Sequence, residues 1–215
     1  MATIDIDSIV RILKKEARKW PVPAIGNYTD TPFTVLVSCI LSLRTQDRTT
    51  TAASERLFAI ADVPERLLAT PLKTIRRAIY PVSFYRVKAR TIHRICHQLL
   101  ADYGGKVPSD IEELLKLHGV GRKTANIVVT LAYQKEGIAV DTHVHRISNR
   151  LGYVKTKTPE KTEMALRAKL PRRYWIVCND LFVALGQNIC KPTSPICSRC
   201  AIEAFCPKVG VTRSR

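Results

Sequence analysis

Four of the seven cysteines in the chain fall within a stretch of seventeen residues. They are Cys190, Cys197, Cys200 and Cys206, in the spacing C-x6-C-x2-C-x5-C. Clustered cysteines in a chain that keeps its thiols reduced indicate metal binding rather than disulfide bonds. Zinc ribbons usually supply two C-x2-C pairs, whereas a single pair with wider, uneven intervals suits the separated iron corners of a [4Fe–4S] cluster. The spacing favours the cluster and leaves a tetrahedral zinc site as the alternative.

A second segment combines glycines with positive charge. From residue 117 to residue 126 the sequence reads LHGVGRKTAN, with an amphipathic pattern on either side. Glycines allow a tight turn and close approach to the backbone, and the N-terminus of the following helix offers N–H groups to a phosphate. The pattern L-x-G-V-G followed by a basic residue predicts a helix–hairpin–helix that holds a nucleic-acid backbone without reading its sequence. A simple turn between two helices is the alternative. The residues expected to contact the backbone are Leu117, His118, Gly119, Val120, Gly121 and Arg122.

Lys123, the next residue, is a candidate nucleophile as well as a candidate phosphate contact. It falls in the first turn of the predicted helix, where the positive end of the helix dipole disfavours an ammonium ion and so favours the neutral amine. A neutral lysine amine is a nucleophile that can form a Schiff base. A short extended segment at 138–140 then delivers Asp141 to the start of the next helix, where its carboxylate can cap that helix and also project into a basic cleft.

These residues must be positioned by helices, because apolar residues recur at intervals of three and four along most of the chain. Helix starts are predicted at Thr31–Pro32, Pro64 and Thr158–Pro159. A further helix is predicted from Ile111 to Leu117, with Ser109 as its cap. One buried helical stripe is predicted at Val87, Ile92, Ile95 and Leu99. The expectation is an all-α fold of about ten helices, with a single short extended segment at 138–140.

The composition is that of an ordinary folded protein with a large positive charge. Of 215 residues, 46% are hydrophobic, and 35 Lys and Arg face 18 Asp and Glu, which gives a net charge of +17. From Arg66 to Ala101 there are eight basic residues and no acidic one, a pattern that favours a phosphate-facing surface over a solvated face of mixed sign. The longest apolar stretch, Phe33 to Leu43, is shorter than the ~20 residues of a bilayer span, and no signal-peptide pattern is visible. We therefore expect a cytoplasmic protein that binds nucleic acid and not a membrane.

Three motifs together resemble the endonuclease III family of helix–hairpin–helix DNA glycosylases. They are the segment 117–126, the segment Val140-Asp-Thr-His143 and the four-cysteine loop, and the likeness runs in the same order over essentially the whole chain. The resemblance implies a two-domain, all-α architecture with the DNA cleft between the domains. Residues 26–132 would form a six-helix domain that contains the hairpin, and residues 1–25 plus 133–215 would form the cluster domain. The four cysteines would hold a [4Fe–4S] cluster, which decides against zinc.

The resemblance also implies an activity, that of a base-excision-repair DNA glycosylase with AP lyase activity on oxidised pyrimidines. The partner would be double-stranded DNA with a damaged base or an abasic site, bound by a monomer. The damaged nucleotide leaves the base stack, Lys123 attacks C1′ and forms a Schiff base, Asp141 assists, and β-elimination cuts the strand 3′ to the abasic site. Relatives that only remove bases lack a lysine at this position. The alternatives are a pyrimidine-dimer or mismatch-specific glycosylase of the same superfamily, and a non-catalytic iron–sulfur DNA-binding protein.

Several further residues match positions that contact DNA in the family. Arg44 stands where relatives often place the glutamine that fills the gap left by the flipped base, and Gln46, two residues on, is the alternative filler. Phe84 matches the apolar wedge that enters the base stack, with a place in the core as the alternative. His118 stands where a proline is common, a replacement that is harmless or adds a contact. The residues expected near DNA phosphate are His118, His143 and Lys191.

Overall fold

The computed structural model describes residues 4–20 and 31–215. Within these ranges the chain forms eleven α-helices, three short 3₁₀ segments and no β-strand, which confirms the predicted all-α class. The α-helices are α1 (Ile6–Ala17), α2 (Pro32–Ser42), α3 (Asp47–Phe58), α4 (Pro64–Ala69), α5 (Leu72–Ile79), α6 (Tyr85–Tyr103), α7 (Ile111–Lys116), α8 (Arg122–Tyr133), α9 (Thr142–Arg150), α10 (Pro159–Lys169) and α11 (Trp175–Asn188). The 3₁₀ segments are Arg172–Tyr174, Cys197–Arg199 and Glu203–Phe205.

The predicted helix starts are confirmed at all four places, and one predicted cap residue is wrong. Thr31 and Thr158 are N-caps, each followed by a proline in the first turn, and Pro64 opens α4. The helix predicted from Ile111 begins there, but Ser109 is not its cap. Asp110 is the N-cap of α7, because its carboxylate accepts hydrogen bonds from two main-chain N–H groups of the first turn.

The described residues form two compact units. The cysteine unit comprises residues 4–20 and Glu136–Arg215, and the hairpin unit comprises residues 31–135. The sequence placed one domain boundary at 25/26, which lies outside the described residues. It placed the other at 132/133, three residues before the observed junction at 135/136. The roles assigned to the two domains stay predictions.

The hairpin unit is built around α2. Nine of the eleven residues of α2 are buried, as expected for a helix that is apolar on all sides. It packs against α3, α6 and α8, while α6 also packs against α4 and α5. This arrangement fixes α8, the second helix of the predicted hairpin, directly on the central helix.

The buried stripe of α6 differs from the prediction at its first position. Ile92, Ile95 and Leu99 are fully buried, but Val87 is 51% exposed. The stripe instead begins at Lys88, which is 6% exposed. Position 88 is four residues before Ile92, so helical spacing places it on the buried side whatever its residue type.

The cysteine unit is built around α11. The helices α1 and α9 pack against α11, and α10 packs against α9. The buried face of α1 is formed by Ile6, Ile9, Val10 and Leu13, so one face of the core comes from residues far from α11 in sequence. No helix in residues 4–20 or 31–215 is long and apolar enough to span a bilayer.

Candidate active site and cysteine loop

The segment between α7 and α8 forms the predicted tight hairpin. The N–H of Val120 donates to the carbonyl of Leu117 at 3.1 Å. Gly119 has φ +77°, and a Cβ there would lie 2.9 Å from the side chain of Thr91 on α6, so both conformation and space require glycine. Gly121, in contrast, has an ordinary φ of −102°. No atom lies within 4 Å of where its Cβ would be, so its missing side chain leaves the start of α8 uncovered.

The hairpin is anchored on α6 through His118. The main-chain N–H of His118 donates to Gln98 Oε1 at 2.7 Å, and its ring Nε2 lies 3.3 Å from a guanidinium nitrogen of Arg94. Leu117 and Val120 are buried. Their side chains pack inside the unit, so contacts of these two residues with a ligand would run through the main chain.

Lys123 is the second residue of α8 and is half-buried. It lies near Cys39 on α2, where its charge opposes the effect of burial on that thiol. Burial nevertheless raises the pKa of Cys39 to about 12, so this thiol stays protonated and is a poor nucleophile. Arg122, just before it, has Nη1 3.8 Å from a carboxylate oxygen of Glu112, a loose ion pair at the surface.

Asp141 is the N-cap of α9, as predicted. Its Oδ1 accepts hydrogen bonds from the N–H groups of His143 at 2.8 Å and Val144 at 2.9 Å. The segment 138–140 that leads to it is buried but pairs with no strand in the described chain. Two main-chain donors and a buried approach fix the orientation of this carboxylate.

His143, expected near DNA phosphate, packs against α11. A Cβ on Gly186 would overlap its imidazole ring, so the absence of a side chain at 186 makes room for the ring. Its Nδ1 lies 3.1 Å from Nη2 of Arg146. The ring is half-buried, and its contact with DNA stays a prediction.

Arg44 and Gln46 lie exposed in the loop between α2 and α3. The backbone of Arg44 lies in the left-handed region, with φ +54°. Residues other than glycine rarely adopt this conformation, and they do so where the surrounding structure holds them in it. The carbonyl of Gln46 accepts a hydrogen bond from Thr50 N at 3.0 Å, while its side chain makes no capping bond. Both side chains are therefore available, and the choice of gap filler stays a prediction.

Phe84 is a second exposed residue in the left-handed region. It stands immediately before α6 with φ +57°, and it is 61% exposed. An aromatic side chain that is exposed at a loop tip is not part of the core, so the core alternative is wrong. This exposure is compatible with a wedge role, which stays a prediction.

Sequence reasoning missed Lys88, which connects these two loops. Its Nζ donates to the carbonyl oxygens of Leu41 at 2.7 Å and Leu43 at 2.6 Å, and to Thr45 Oγ1 at 3.1 Å. Its main-chain N–H donates to the carbonyl of Phe84 at 3.0 Å. Burial lowers the pKa of Lys88 to about 8. The signal in the sequence was a lysine at a position of the apolar stripe of α6.

The four cysteines of the predicted metal site line one cavity, together with residues of α9 and α11. All four are free thiols. Burial raises the pKa of Cys200 to about 11 and raises that of Cys206 as well. A metal group bound here would therefore displace protons from the thiols. Across residues 4–20 and 31–215, no three His, Cys, Asp or Glu side chains are arranged to hold a single metal ion.

Two arginines of α9, one helical turn apart, hold the first cysteine. Arg146 donates through Nη2 to the carbonyl of Cys190 at 2.8 Å. Arg150 donates through Nη1 to Cys190 Sγ at 3.2 Å and to the carbonyl of Lys191 at 2.7 Å. Lys191 in turn folds its amine back onto the carbonyl of Gln187, so its expected contact with DNA stays a prediction. The four-residue spacing of the arginines was the available signal for this clamp.

Comparison with known proteins gives consistent results. Residues 37–172 match the model of the HhH-GPD superfamily base excision DNA repair protein family. The chain is 48% identical over 181 residues to an endonuclease III of Thermotoga maritima, covering 84% of this chain and 85% of that one. It is 43% identical to the chloroplastic endonuclease III homolog 2 of Arabidopsis thaliana, over 81% of this chain and 48% of that longer protein. A solved structure of a trapped endonuclease III–DNA covalent intermediate superposes with a TM-score of 0.84 and 34% identity, covering 97% of each chain.

Proposed function

This chain belongs to the endonuclease III family, within the HhH-GPD superfamily of base excision DNA repair proteins, and we propose that Lys123 is the nucleophile of its DNA glycosylase and AP lyase reactions. The observation that carries the proposal is a half-buried lysine in the first turn of α8, directly behind a hairpin whose last glycine leaves the helix start uncovered. The substrate is duplex DNA that contains an oxidised pyrimidine or an abasic site. The protein acts where the DNA lies, which in a prokaryotic cell is the nucleoid.

The reaction requires a neutral amine at Lys123. Its Nζ forms a bond to C1′ of the flipped nucleotide as the base leaves with the electrons of the glycosidic bond and takes up a proton. The nitrogen then loses a proton, its lone pair displaces O4′ from C1′, and O4′ takes up a proton, which gives the protonated Schiff base. The Schiff base acidifies the proton on C2′. Removal of that proton expels the 3′ phosphate, so that the strand is cut by β-elimination. Water then releases the lysine.

Asp141 supplies the carboxylate. It either accepts a proton from Lys123 or stabilises the positive charge that develops on the sugar. Both tasks need a carboxylate of fixed direction, and the two main-chain N–H groups that bind Oδ1 provide one. The N-cap role and the catalytic role are compatible, because a carboxylate has a second oxygen.

The hairpin holds the DNA backbone next to Lys123. Main-chain N–H groups at the start of α8 and the positive charge of Arg122 suit a phosphate. Gly121 supports this role, because its conformation does not require glycine while its bare surface permits close approach. The exposed His118 lies at the same turn and adds a second donor.

The flipped nucleotide leaves a gap in the duplex, which we assign to two exposed side chains of the hairpin unit. Phe84 enters the base stack as a wedge. Arg44 fills the gap and donates hydrogen bonds to the opposite base, with Gln46 as the neighbouring alternative. Both Arg44 and Phe84 have a positive φ, a conformation that is enriched at active sites and ligand contacts.

The cysteine loop fits a [4Fe–4S] cluster. Its donor set is four thiols around one cavity, and the guanidinium of Arg150 donates to Cys190 Sγ, as expected for a thiolate that carries negative charge to a cluster. The ligands would be Cys190, Cys197, Cys200 and Cys206. When bound, the cluster supplies a rigid cross-link and a redox centre. The residues of the chain provide the ligands, and the arginines of α9 fix the loop that presents them.

Borohydride trapping tests the proposed function. Wild-type protein mixed with duplex DNA that contains an abasic site should give a covalent adduct, because borohydride reduces the Schiff base to a stable amine. Lys123→Ala should give none, while Lys161→Ala, an exposed lysine of α10, should trap like the wild type. Absence of an adduct with the wild-type protein would refute the assignment of lyase activity. Duplexes with thymine glycol, dihydrouracil, a uracil mismatch or a pyrimidine dimer then distinguish the oxidised-pyrimidine activity from the alternative specificities.

A further inference from the structure

A groove on the hairpin unit is lined only by arginine and tyrosine. Its lining residues are Arg76, Arg77, Tyr80, Tyr85, Arg86 and Arg90. They come from the end of α5, the following turn and the first two turns of α6. In the part of the chain that the structure describes, no carboxylate forms a salt bridge with any of these four arginines. The groove therefore brings together four arginines that are in no salt bridge with a described carboxylate.

The side chains of this arginine groove are partly ordered. The ring of Tyr85 lies edge to face with that of Tyr80, with centroids 5.4 Å apart. Arg86 lies over the ring of Tyr85 at 5.7 Å, and its Nε donates to the hydroxyl of that tyrosine at 3.1 Å. Arg76 Nε is buried and has no hydrogen-bond partner among the described residues.

The chemistry of the groove selects a phosphate. Guanidinium groups bind phosphate oxygens in pairs through their planar fork, and tyrosine hydroxyls donate to the same oxygens. One of the lining residues of the groove, Tyr85, directly follows the exposed Phe84 in the chain. A DNA duplex that receives Phe84 in its base stack would carry its backbone past this groove.

We propose that the arginine groove is a second phosphate-binding site, separate from the hairpin, that binds the backbone of the duplex flanking the wedge. The inference rests on the proposed function, because it takes duplex DNA as the ligand. The groove adds length to the DNA footprint without reading sequence.

The test uses the salt dependence of binding. The variant Arg77→Gln/Arg90→Gln changes two exposed arginines of the groove, and Lys14→Gln/Lys15→Gln removes the same charge from the exposed end of α1. Affinity for a duplex with a non-cleavable abasic analogue is measured over a series of salt concentrations. Each lost phosphate contact should reduce the slope of log K against log salt by about 0.9. The magnitude of this slope should fall by about 1.8 in the groove variant and by much less in the α1 variant.

Equal losses in the two variants would overturn the proposal, because they would reflect net charge alone. Neutral methylphosphonates placed at single positions beside the analogue locate the contact: one of them should weaken binding of the wild type and leave binding of the groove variant unchanged. Borohydride trapping at saturating duplex should remain intact in the groove variant. If the wild type bound the duplex but gave no adduct, the proposed function would fail. The salt slopes would still show whether the groove binds the phosphates of the duplex.

Lys88 carries a second, independent inference. Its amine makes three hydrogen bonds to the loop on both sides of Arg44. Lys88 itself lies in the first turn of α6, whose N-cap is Phe84, so its side chain ties the Arg44 loop to the helix that Phe84 begins. At 6% exposure it cannot contact DNA itself. We infer that Lys88 is a positioning residue that fixes Arg44 relative to Phe84, so that gap filling and wedging occur at a set separation.

The test for Lys88 compares two substrates. A single-stranded abasic oligonucleotide has no opposite base and no gap, whereas a duplex has both. Lys88→Met should cut lyase turnover about tenfold on the duplex and leave it unchanged on the single strand, and it should reduce the fluorescence of 2-aminopurine placed opposite the abasic site. Equal loss on both substrates would contradict a positioning role, as would no loss on either. Thr45→Val, which removes one of the three contacts at the loop surface, should give the same pattern more weakly even if Lys88→Met fails to fold.

Discussion

The guanidinium of Arg150 lies 3.2 Å from the sulfur of Cys190, and the same group donates to the carbonyl of Lys191 at 2.7 Å. The carbonyl of Arg150 in turn accepts a hydrogen bond from Val209 N at 2.9 Å and lies 3.6 Å from Cys206 Sγ. One residue of α9 thus contacts both ends of the cysteine loop.

Replacing Arg150 should therefore weaken retention of the cluster. Arg150→Gln removes the charged donor to Cys190 Sγ and should increase the rate at which iron is lost to a chelator by about tenfold, a typical effect of losing an outer-shell hydrogen bond. The measurement is iron and sulfide content together with visible absorbance over time. Arg213→Gln, in an exposed segment, is the matched control and should lose iron at the wild-type rate. Identical rates in the two variants would mean that the contact has no role in holding the cluster.

Asp141 combines two roles that substitutions can separate. Asp141→Asn keeps an oxygen that can accept from the N–H groups of His143 and Val144, but it removes the charge. We expect thermal stability near that of the wild type and a loss of roughly 100- to 10,000-fold in single-turnover base removal. Asp141→Ala should lose the same activity and in addition about 1 kcal/mol of stability, because the helix cap is gone.

Unfolding by heat and single-turnover kinetics on the same preparations check both statements. If Asp141→Asn were as destabilised as Asp141→Ala, the cap would depend on the charge. If it kept full activity, the carboxylate would have no catalytic role.

The two glycines of the hairpin should respond differently to alanine. Gly119→Ala places a Cβ 2.9 Å from Thr91 at a positive φ and should destabilise the protein by about 1–3 kcal/mol. Gly121→Ala meets no atom within 4 Å and should leave stability unchanged while it weakens duplex binding, because the methyl group covers the start of α8. Thermal unfolding and duplex affinity are the two measurements. Wild-type affinity in Gly121→Ala would argue against a phosphate at this helix start.

The pKa of Lys88 predicts how stability changes with pH. Burial lowers this pKa from an ordinary 10.5 to about 8, so between these values the unfolded chain binds a proton that the folded chain has released. Stability then rises with pH. Relative to Lys88→Met, the wild type should gain up to about 3 kcal/mol between pH 8 and pH 10.5. Urea unfolding of both proteins across this range checks the sign. A difference that shrinks with pH would show that the three hydrogen bonds outweigh burial.

The sequence predicts much of this structure where one residue type has one dominant use. Threonine followed by proline marks the starts of α2 and α10, and the pattern L-x-G-V-G marks the hairpin. These residue patterns predict well because each is compatible with few other backbone conformations. The prediction at 87 and 88 fails for the opposite reason. Hydrophobicity points to Val87 as the buried residue, whereas tertiary hydrogen bonds allow Lys88 to take the buried position and leave Val87 outside.

The functional groups divide in the same way. Lys123, Asp141 and the cysteines are visible in the sequence because their chemistry depends on residue type and local spacing. For Lys88 and Arg150 the sequence carries only weak signals, a lysine in an apolar stripe and two arginines four residues apart. The partners of Lys88, Arg150 and Gln98 are not predictable, because each of these residues contacts a loop that is distant in sequence. The sequence offered two uses for the hairpin glycines, a tight turn and close approach to the backbone. Gly119 has the positive φ of the first use, whereas Gly121 has an ordinary φ and open space at its Cβ position, which fits only the second.

The cysteine unit is discontinuous, with α1 at one end of the chain and α11 near the other. During synthesis the hairpin unit is complete before α11 leaves the ribosome, so it can fold while Ile6, Ile9, Val10 and Leu13 of α1 still lack their packing partner. The last helix and the four cysteines emerge together. Burial of the apolar face of α1 and assembly of the cysteine loop are therefore late steps of folding that depend on the same segment. A chain that stops before α11 would leave the apolar face of α1 exposed and prone to aggregation.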